Sequence, residues 1–187
     1  MNEFLTWLDE NGQDLASVEV FDFATTGRGM RATKQFNKNS VVLSIPLNLI
    51  ITSKVCLENE TIQNFGRNLV KCGEKITAQE LLIVWLILGK GHNNVISSKK
   101  TGLVKFSPLP ERNNKHSKWK FYIDVLPKKY TLPLFWEDRH LELLPLYCQK
   151  SVLEEKSKIS KIVEKINKNL SNEISLQDYY WAYGTGL

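Results

Sequence analysis

Two glycines one residue apart, Gly27 and Gly29, are the positions in this chain whose type and spacing best suit chemistry. They lie in the run Thr25-Thr26-Gly27-Arg28-Gly29-Met30-Arg31-Ala32-Thr33, directly after the apolar stretch at 18–23. Glycine tolerates positive φ and leaves its N–H and C=O groups with no Cβ beside them. A Gly-x-Gly turn between strands can therefore grip a small polar ligand by bare backbone, with the Thr26 hydroxyl and the Arg28 guanidinium at hand. The plainer reading of the spacing alone is a hairpin turn that holds nothing. Two better-known glycine motifs are excluded. No third glycine opens a helix, as a dinucleotide fold requires, and no Gly-Lys-Ser/Thr follows, as a phosphate loop requires.

Other chemistry-bearing residues form no pattern. Cys56, Cys72 and Cys148 are far apart, and zinc needs closely paired thiolates or imidazoles, so no metal site is expected. His92, His116 and His140 lie in polar surroundings and are assigned no role. Trp119, Tyr122, Trp136 and Trp181 invite a cation-binding cage, but their helical spacing favours core packing. Asp138-Arg139-His140 reads as an exposed helix face.

The elements that would carry these residues change character near residue 52. Apolar Phe4, Leu5, Trp7 and Leu8 predict a short first helix closed by Asn11-Gly12. The pattern then predicts strand, Gly-x-Gly turn, strand, polar turn at 36–39 and a third strand over the β-branched run 41–46. Beyond it, helices take over. Ser53 is placed to cap one through Leu57, and Asn59 to cap another over 60–71 that ends near Gly73. Thr77 and Glu80 have capping-box spacing and open an all-round apolar helix to about Lys90, which must be buried on several sides. Residues 93–114 are polar, basic and aperiodic, and read as an inserted, disordered loop. Further helices are predicted over 116–126, 137–144 and 146–170, with Glu154–Lys158 and Glu164–Lys168 as i,i+4 pairs on the last. A final short helix, 176–183, is capped by Ser175.

Composition bounds the function classes. With 187 residues, 42% hydrophobic and 24% charged, the chain can bury a real core. The longest apolar run, 81–88, is too short to span a bilayer, and the acidic, amphipathic N-terminus does not read as a signal peptide. The net charge of +5 comes from scattered lysines, not from a concentrated basic stripe, so direct nucleic-acid binding is not expected. Reduced cysteines point to the nucleus or the cytoplasm.

The Gly27-Arg28-Gly29-Met30-Arg31-Ala32-Thr33 run followed by 41–46 resembles the opening of a SET domain of the Rubisco large-subunit methyltransferase type. Trp119-Lys120-Phe121-Tyr122-Ile123-Asp124-Val125-Leu126-Pro127 is similar to that family's Trp-x-x-Tyr-x-x-x-Leu-Pro signature. Tyr130-Thr131-Leu132-Pro133-Leu134-Phe135-Trp136 and Asp178-Tyr179-Tyr180-Trp181-Ala182-Tyr183 agree with it in order. The resemblance implies an α+β chain. Residues 1–52 are an N-terminal SET segment, 53–174 a mostly helical insert, and 175–187 the start of a second SET segment, truncated before the C-terminal half. It implies a protein-lysine N-methyltransferase using S-adenosylmethionine, with a histone or another protein as substrate and Thr26, Gly27, Arg28 and Gly29 as cofactor-binding residues in a concave site. Family members often have an acidic residue where Thr26 stands, so only a hydroxyl remains there. It assigns no catalytic residue, because the family's Asn-His element and channel tyrosine have no counterpart here: His92 follows Gly91, His116 follows Lys115 and His140 follows Arg139. Two other readings remain open at this stage. One is a non-catalytic helical interaction module of the same lineage; the other is an unrelated helical scaffold with a chance Gly-x-Gly hairpin.

Overall fold

The structure, a computed structural model, describes residues 2–90, 117–171 and 173–186. The loop expected over 93–114 lies outside the described residues. Packing divides the chain into two units, Met1–Ile51 and Thr52–Leu187. The fold class is α+β, with a two-stranded sheet and mostly helical content.

The first unit opens with α1 (Asn2–Glu10), whose Trp7 is buried and stacked on Phe4. Gly12, at φ +84, ends it in the left-handed region. Strands β1 (Val18–Phe23) and β2 (Gly27–Ala32) pair antiparallel, with Val18 opposite Ala32 and Phe23 opposite Gly27. Thr33 extends the clasp by donating its N–H to Ser17 O and its hydroxyl to Ala16 O.

The third strand does not form. Residues 41–46 run without regular structure into a single 3-10 turn, Leu47–Leu49. The β-branched composition suits a strand, but a strand is defined by a neighbour's backbone, and none among the described residues pairs with it.

The second unit is a helical cluster around α4 (Ala78–Lys90). Six consecutive residues of α4, 83–88, are buried, because α2 (Ser53–Cys56), α3 (Glu60–Lys71), α5 (Lys120–Val125) and α8 (Leu176–Thr185) all pack against it. The short α6 (Asp138–Leu141) leads to α7 (Leu146–Asn169), which buries Ile159, Val163 and Ile166 and packs on α3 and α8.

The termini follow the side-chain chemistry closely. Asn59 accepts from Ile62 N, and Gly73, at φ +68, closes α3. Thr77 and Glu80 form a reciprocal capping box: Thr77 N donates to Glu80 Oε2 (2.6 Å) and Glu80 N to Thr77 Oγ1 (3.1 Å). Ser175 caps α8 through Asp178 N. Three local expectations are corrected. Thr52, not Ser53, caps α2, since its hydroxyl accepts from Val55 N while Ser53 is already in the helix. The helix expected over 137–144 is a single turn, followed by Pro145 as the N-cap of α7. Lys158 pairs with Glu155 (3.6 Å) and not with Glu154, whereas Lys168 meets Glu164 (3.0 Å) as expected.

Candidate functional site

The sequence-derived candidates sit at the turn end of the β1–β2 hairpin. Ala24, Thr25 and Thr26 make the connection, and Gly27 enters β2 at φ +73. Short hairpin connections commonly end on a residue in this left-handed region, so Gly27 has a conformational reason to be glycine. A Cβ there would meet nothing within 4 Å, so the backbone is also open to a visitor. Thr26, Gly27 and Arg28 are exposed, and Gly29 is half-buried.

Gly29 is glycine for a different reason. The register places Glu19, Phe21 and Phe23 on one face, opposite Arg31, Gly29 and Gly27. Phe23 leans over Gly29, and a Cβ there would stand 3.1 Å from Phe23 Cε2. Phe23 meets Phe21 edge to face at 4.9 Å, and the Arg31 guanidinium lies 3.6 Å above the Phe21 ring. Glu19 holds that guanidinium in place, accepting from Nε at 2.8 Å and lying 2.6 Å from the terminal nitrogen. One face of the hairpin is thus a small cation–aromatic stack. Gly27 is the ladder partner of Phe23 and keeps open space where a Cβ would stand, while the corresponding side of Gly29 is covered by the Phe23 ring. Sequence reasoning missed this stack. Its signal was there: Phe21 and Phe23 at i, i+2 lie two strand positions apart, opposite two glycines.

The aromatic residues in the helical unit serve packing. Trp119 is buried, edge to face with Trp85 at 6.0 Å and with Tyr122 at 6.2 Å. Trp181 is buried, donates Nε1–H to Pro127 O (2.8 Å) and carries Lys90 Nζ 4.3 Å above its ring. Trp136 donates to Thr131 O at 3.1 Å. The Trp-x-x-Tyr-x-x-x-Leu-Pro stretch therefore anchors α5 and the Pro127 turn to α4 and α8, where Trp181 is the latch. Asp138, Arg139 and His140 are exposed, and Arg139 pairs with Glu137 at 2.8 Å.

Electrostatics in this unit centre on Glu80. Burial alone would push its carboxyl up, but the Lys165 ammonium (2.7 Å) and the two Thr77 contacts outweigh that and hold it below the usual carboxylate range. Nearby Tyr179 is raised by its burial and then by the charges of Glu80 and Glu155, so it stays neutral. Tyr183, raised by burial and by Glu155, donates its hydroxyl to Glu155 Oε1 (2.9 Å).

Among the described residues no group of three or more His, Cys, Asp or Glu side chains is placed to hold a metal. An open groove of about 430 Å³ lies on the helical unit between Ser160, Glu164, Asn167 and Lys168 of α7 and Glu173 and Leu176. Its polar groups are spent on each other: Asn167 binds both the N–H and the C=O of Ile174, and Glu164 binds Lys168. The groove is the hollow left where the chain turns from α7 into α8.

No family model matches the chain. Curated relatives do. Over 97% of its length the chain is 28% identical to the chloroplastic ribulose-1,5-bisphosphate carboxylase/oxygenase large subunit N-methyltransferase of Pisum sativum. Over 96% it is 23% identical to the actin-histidine N-methyltransferase of Homo sapiens. The chain spans about a third of the length of these relatives, 33% and 28%. In structure it is similar to the SET domain of LSMT bound to lysine and AdoHcy, with a TM-score of 0.70 and 21% identity over 98% of this chain and 37% of that one. Rubisco LSMT bound to sinefungin and monomethyllysine gives 0.70 and 22% over 98% and 38%. The chain has the fold of a portion of the SET-domain structures of Rubisco LSMT, and it resembles the Rubisco large-subunit methyltransferase in sequence from end to end.

Proposed function

We propose that the chain is part of an S-adenosylmethionine-dependent protein N-methyltransferase of the SET type, acting on a lysine side chain, histone lysines included. Among such proteins its motifs look most like those of SET domain-containing protein 4. The observation that carries the reading is the near-complete match of this chain to proteins named as methyltransferases, together with a fold found in complexes with AdoHcy, sinefungin and lysine. Because one of the relatives is named for histidine, the acceptor class is defined as a protein side-chain nitrogen, with lysine as the first choice.

When bound, S-adenosylmethionine supplies a methyl group on a sulfonium, which passes to a neutral nitrogen as the S–C bond breaks. This chain's share is to hold the donor. Gly27 leaves open the space where a Cβ would stand, Thr26 adds a hydroxyl and Arg28 a cation, all at one exposed hairpin end. The Phe21–Phe23–Arg31 stack stiffens the strands behind them. Lysine must also lose its proton, against a free pKa of about 10.4, which calls for a narrow apolar channel. Trp119, Tyr122, Trp136 and Trp181, the aromatics that the sequence offered for such a channel, pack within the helical unit.

Turnover by these 187 residues alone is therefore expected to be low. A donor held on one side loses positioning, and each 1.4 kcal/mol or so lost costs about tenfold in rate. The test is titration of S-adenosylmethionine into the isotopically labelled chain, followed by NMR. Saturable shifts at the Thr26–Gly29 amides, with Gly12 and Gly73 unmoved, are expected. Shifts elsewhere only would reject the hairpin as the cofactor contact. Transfer to a histone mixture is read in parallel by mass spectrometry, with actin as the histidine comparison. Micromolar binding with robust turnover would show that a complete site lies within this chain.

A further inference from the structure

The helix α7 packs by one side only. Ile159, Val163 and Ile166 face the core. At about 100° per residue, Leu146, Lys150 and Leu153 stand on the opposite side. That outward side is polar along most of the helix, but not at its start. Leu146 is 82% exposed, Tyr147 81% and Leu153, two turns on, 52%; Leu143, just ahead of Pro145, is 82% exposed. Soluble chains scatter single apolar side chains over their surfaces, whereas these four cluster at one helix start and make a patch. The charges beside the patch have both signs. Glu142, Lys150 and Glu154 form no ion pair among the described residues. An anionic lipid surface or a nucleic acid calls for a rim of one sign, and this rim does not supply it.

We propose that this patch is the contact of a two-fold dimer, its occupant being α7 of a second copy of this chain laid antiparallel. Leu146 and Leu153 are a heptad apart on one ridge of the helix. A two-fold axis passing between Gln149 and Lys150 therefore sets Leu146 of each copy on Leu153 of the other. Tyr147 closes the side of the contact, its ring inside and its hydroxyl in water. The same register runs the Lys150 and Glu154 side chains of both copies alongside one another. Two cations lie with two carboxylates, so the centre carries no net charge and the surface complements itself. Covering the four apolar side chains takes on the order of 600 Å² per copy out of water, about 1,200 Å² for the pair, which is the lower end of a specific interface. The contact needs no methyl transfer, so it stands or falls apart from the proposed function.

The experiment is sedimentation equilibrium of the full 187-residue chain over a concentration series. A monomer–dimer equilibrium with a dissociation constant of about 10–100 μM is expected of a contact this size. Leu146→Lys sets a cation against Leu153 and beside Lys150, and should weaken the dimer at least about tenfold. Val70→Lys, on the exposed side of α3, should leave it unchanged. Circular dichroism checks that each variant keeps its helices. Mixing the Leu146→Lys chain with a Leu153→Glu chain should restore a mixed dimer, read by native mass spectrometry, because the register joins the new cation to the new carboxylate. A chain that stays monomeric up to about 1 mM overturns the proposal and leaves the patch to a different protein. A dimer that Leu146→Lys leaves intact, or a mixed pair that does not form, overturns it as well.

Discussion

Replacing Lys165 by methionine removes one charge and leaves the aliphatic stem to pack. In the native structure Lys165 Nζ bonds Glu80 Oε1 at 2.7 Å and Lys75 O at 3.1 Å, and it joins α7 to the start of α4 across 85 residues of sequence. Glu80 is 8% exposed, so the loss strands a carboxylate that water reaches poorly. Fully buried pairs cost about 3–5 kcal/mol when one partner is removed, and hydrogen bonds to charged groups about 1.5–3. Glu80 keeps its Thr77 N–H, which offsets part of this, so Lys165→Met is expected to cost about 2–3 kcal/mol. Glu80→Gln keeps the capping-box geometry and should cost less, and the double variant should cost less than the sum of the two. The pH dependence has a definite sign. Glu80 is held below its ordinary value of 4.5 in the folded chain, so its contribution is present above that value and is lost as pH falls through the folded pKa. The Lys165→Met deficit should therefore be full at neutral pH and shrink under strongly acid conditions. Urea unfolding followed by circular dichroism measures both. A deficit below about 0.5 kcal/mol, or one that is the same in acid as at neutral pH, would refute the reasoning.

The two glycines of the hairpin should respond differently to alanine. Gly27→Ala forces a side chain into φ +73 and should cost about 1–2 kcal/mol whatever stands at position 23. Gly29→Ala drives its Cβ against the Phe23 ring and should cost about 1 kcal/mol by loosening the Phe21–Phe23 contact, a penalty that Phe23→Leu removes; unfolding of the single variants and of each glycine variant combined with Phe23→Leu by denaturant decides it. Asn59→Ala should cost about 1 kcal/mol by deleting the bond to Ile62 N, measured the same way. With a thiol reagent at neutral pH, Cys72 and Cys148 should react at once and Cys56 only on unfolding, because Cys56 is buried and its thiol is pushed up to about 11 by that burial; three equally fast thiols would contradict the packing of α2.

Much of this architecture could be read from the chain, and what could be read was local. Asn59, Thr77 with Glu80 and Ser175 each announce a helix start because the cap is a bond to an amide two or three residues away. The apolar run of α4 announces burial on several sides, and α2, α3, α5 and α8 surround it. Glu80 illustrates the limit. Its role toward Thr77 is written in the spacing, but its role toward Lys165 depends on how α7 lies across α4. The same limit explains the third strand. Residues 41–46 have every intrinsic preference for β-structure, and preference is half of a strand; the other half is a partner.

That distinction bears on the candidate site. A glycine motif read from sequence carries two physical demands at once, conformation and close approach, and spacing does not separate them. Here the two demands fall on different residues. Gly27 answers a left-handed φ and has open space where a Cβ would be; Gly29 answers the Phe23 ring. Only Gly27 therefore keeps open space beside its backbone, and a cofactor contact there would coincide with the turn requirement. Gly27→Asn separates them. Asparagine tolerates the left-handed region far better than alanine does, so the hairpin should stay folded, while its side chain fills the space that the glycine leaves open to a ligand. If Thr26, Gly27 and Arg28 present bare backbone to S-adenosylmethionine, this variant unfolds like the parent and loses the ligand-induced shifts at residues 26–29. If the shifts persist, the contact does not pass over the face where that side chain stands, and Gly27 serves the turn alone.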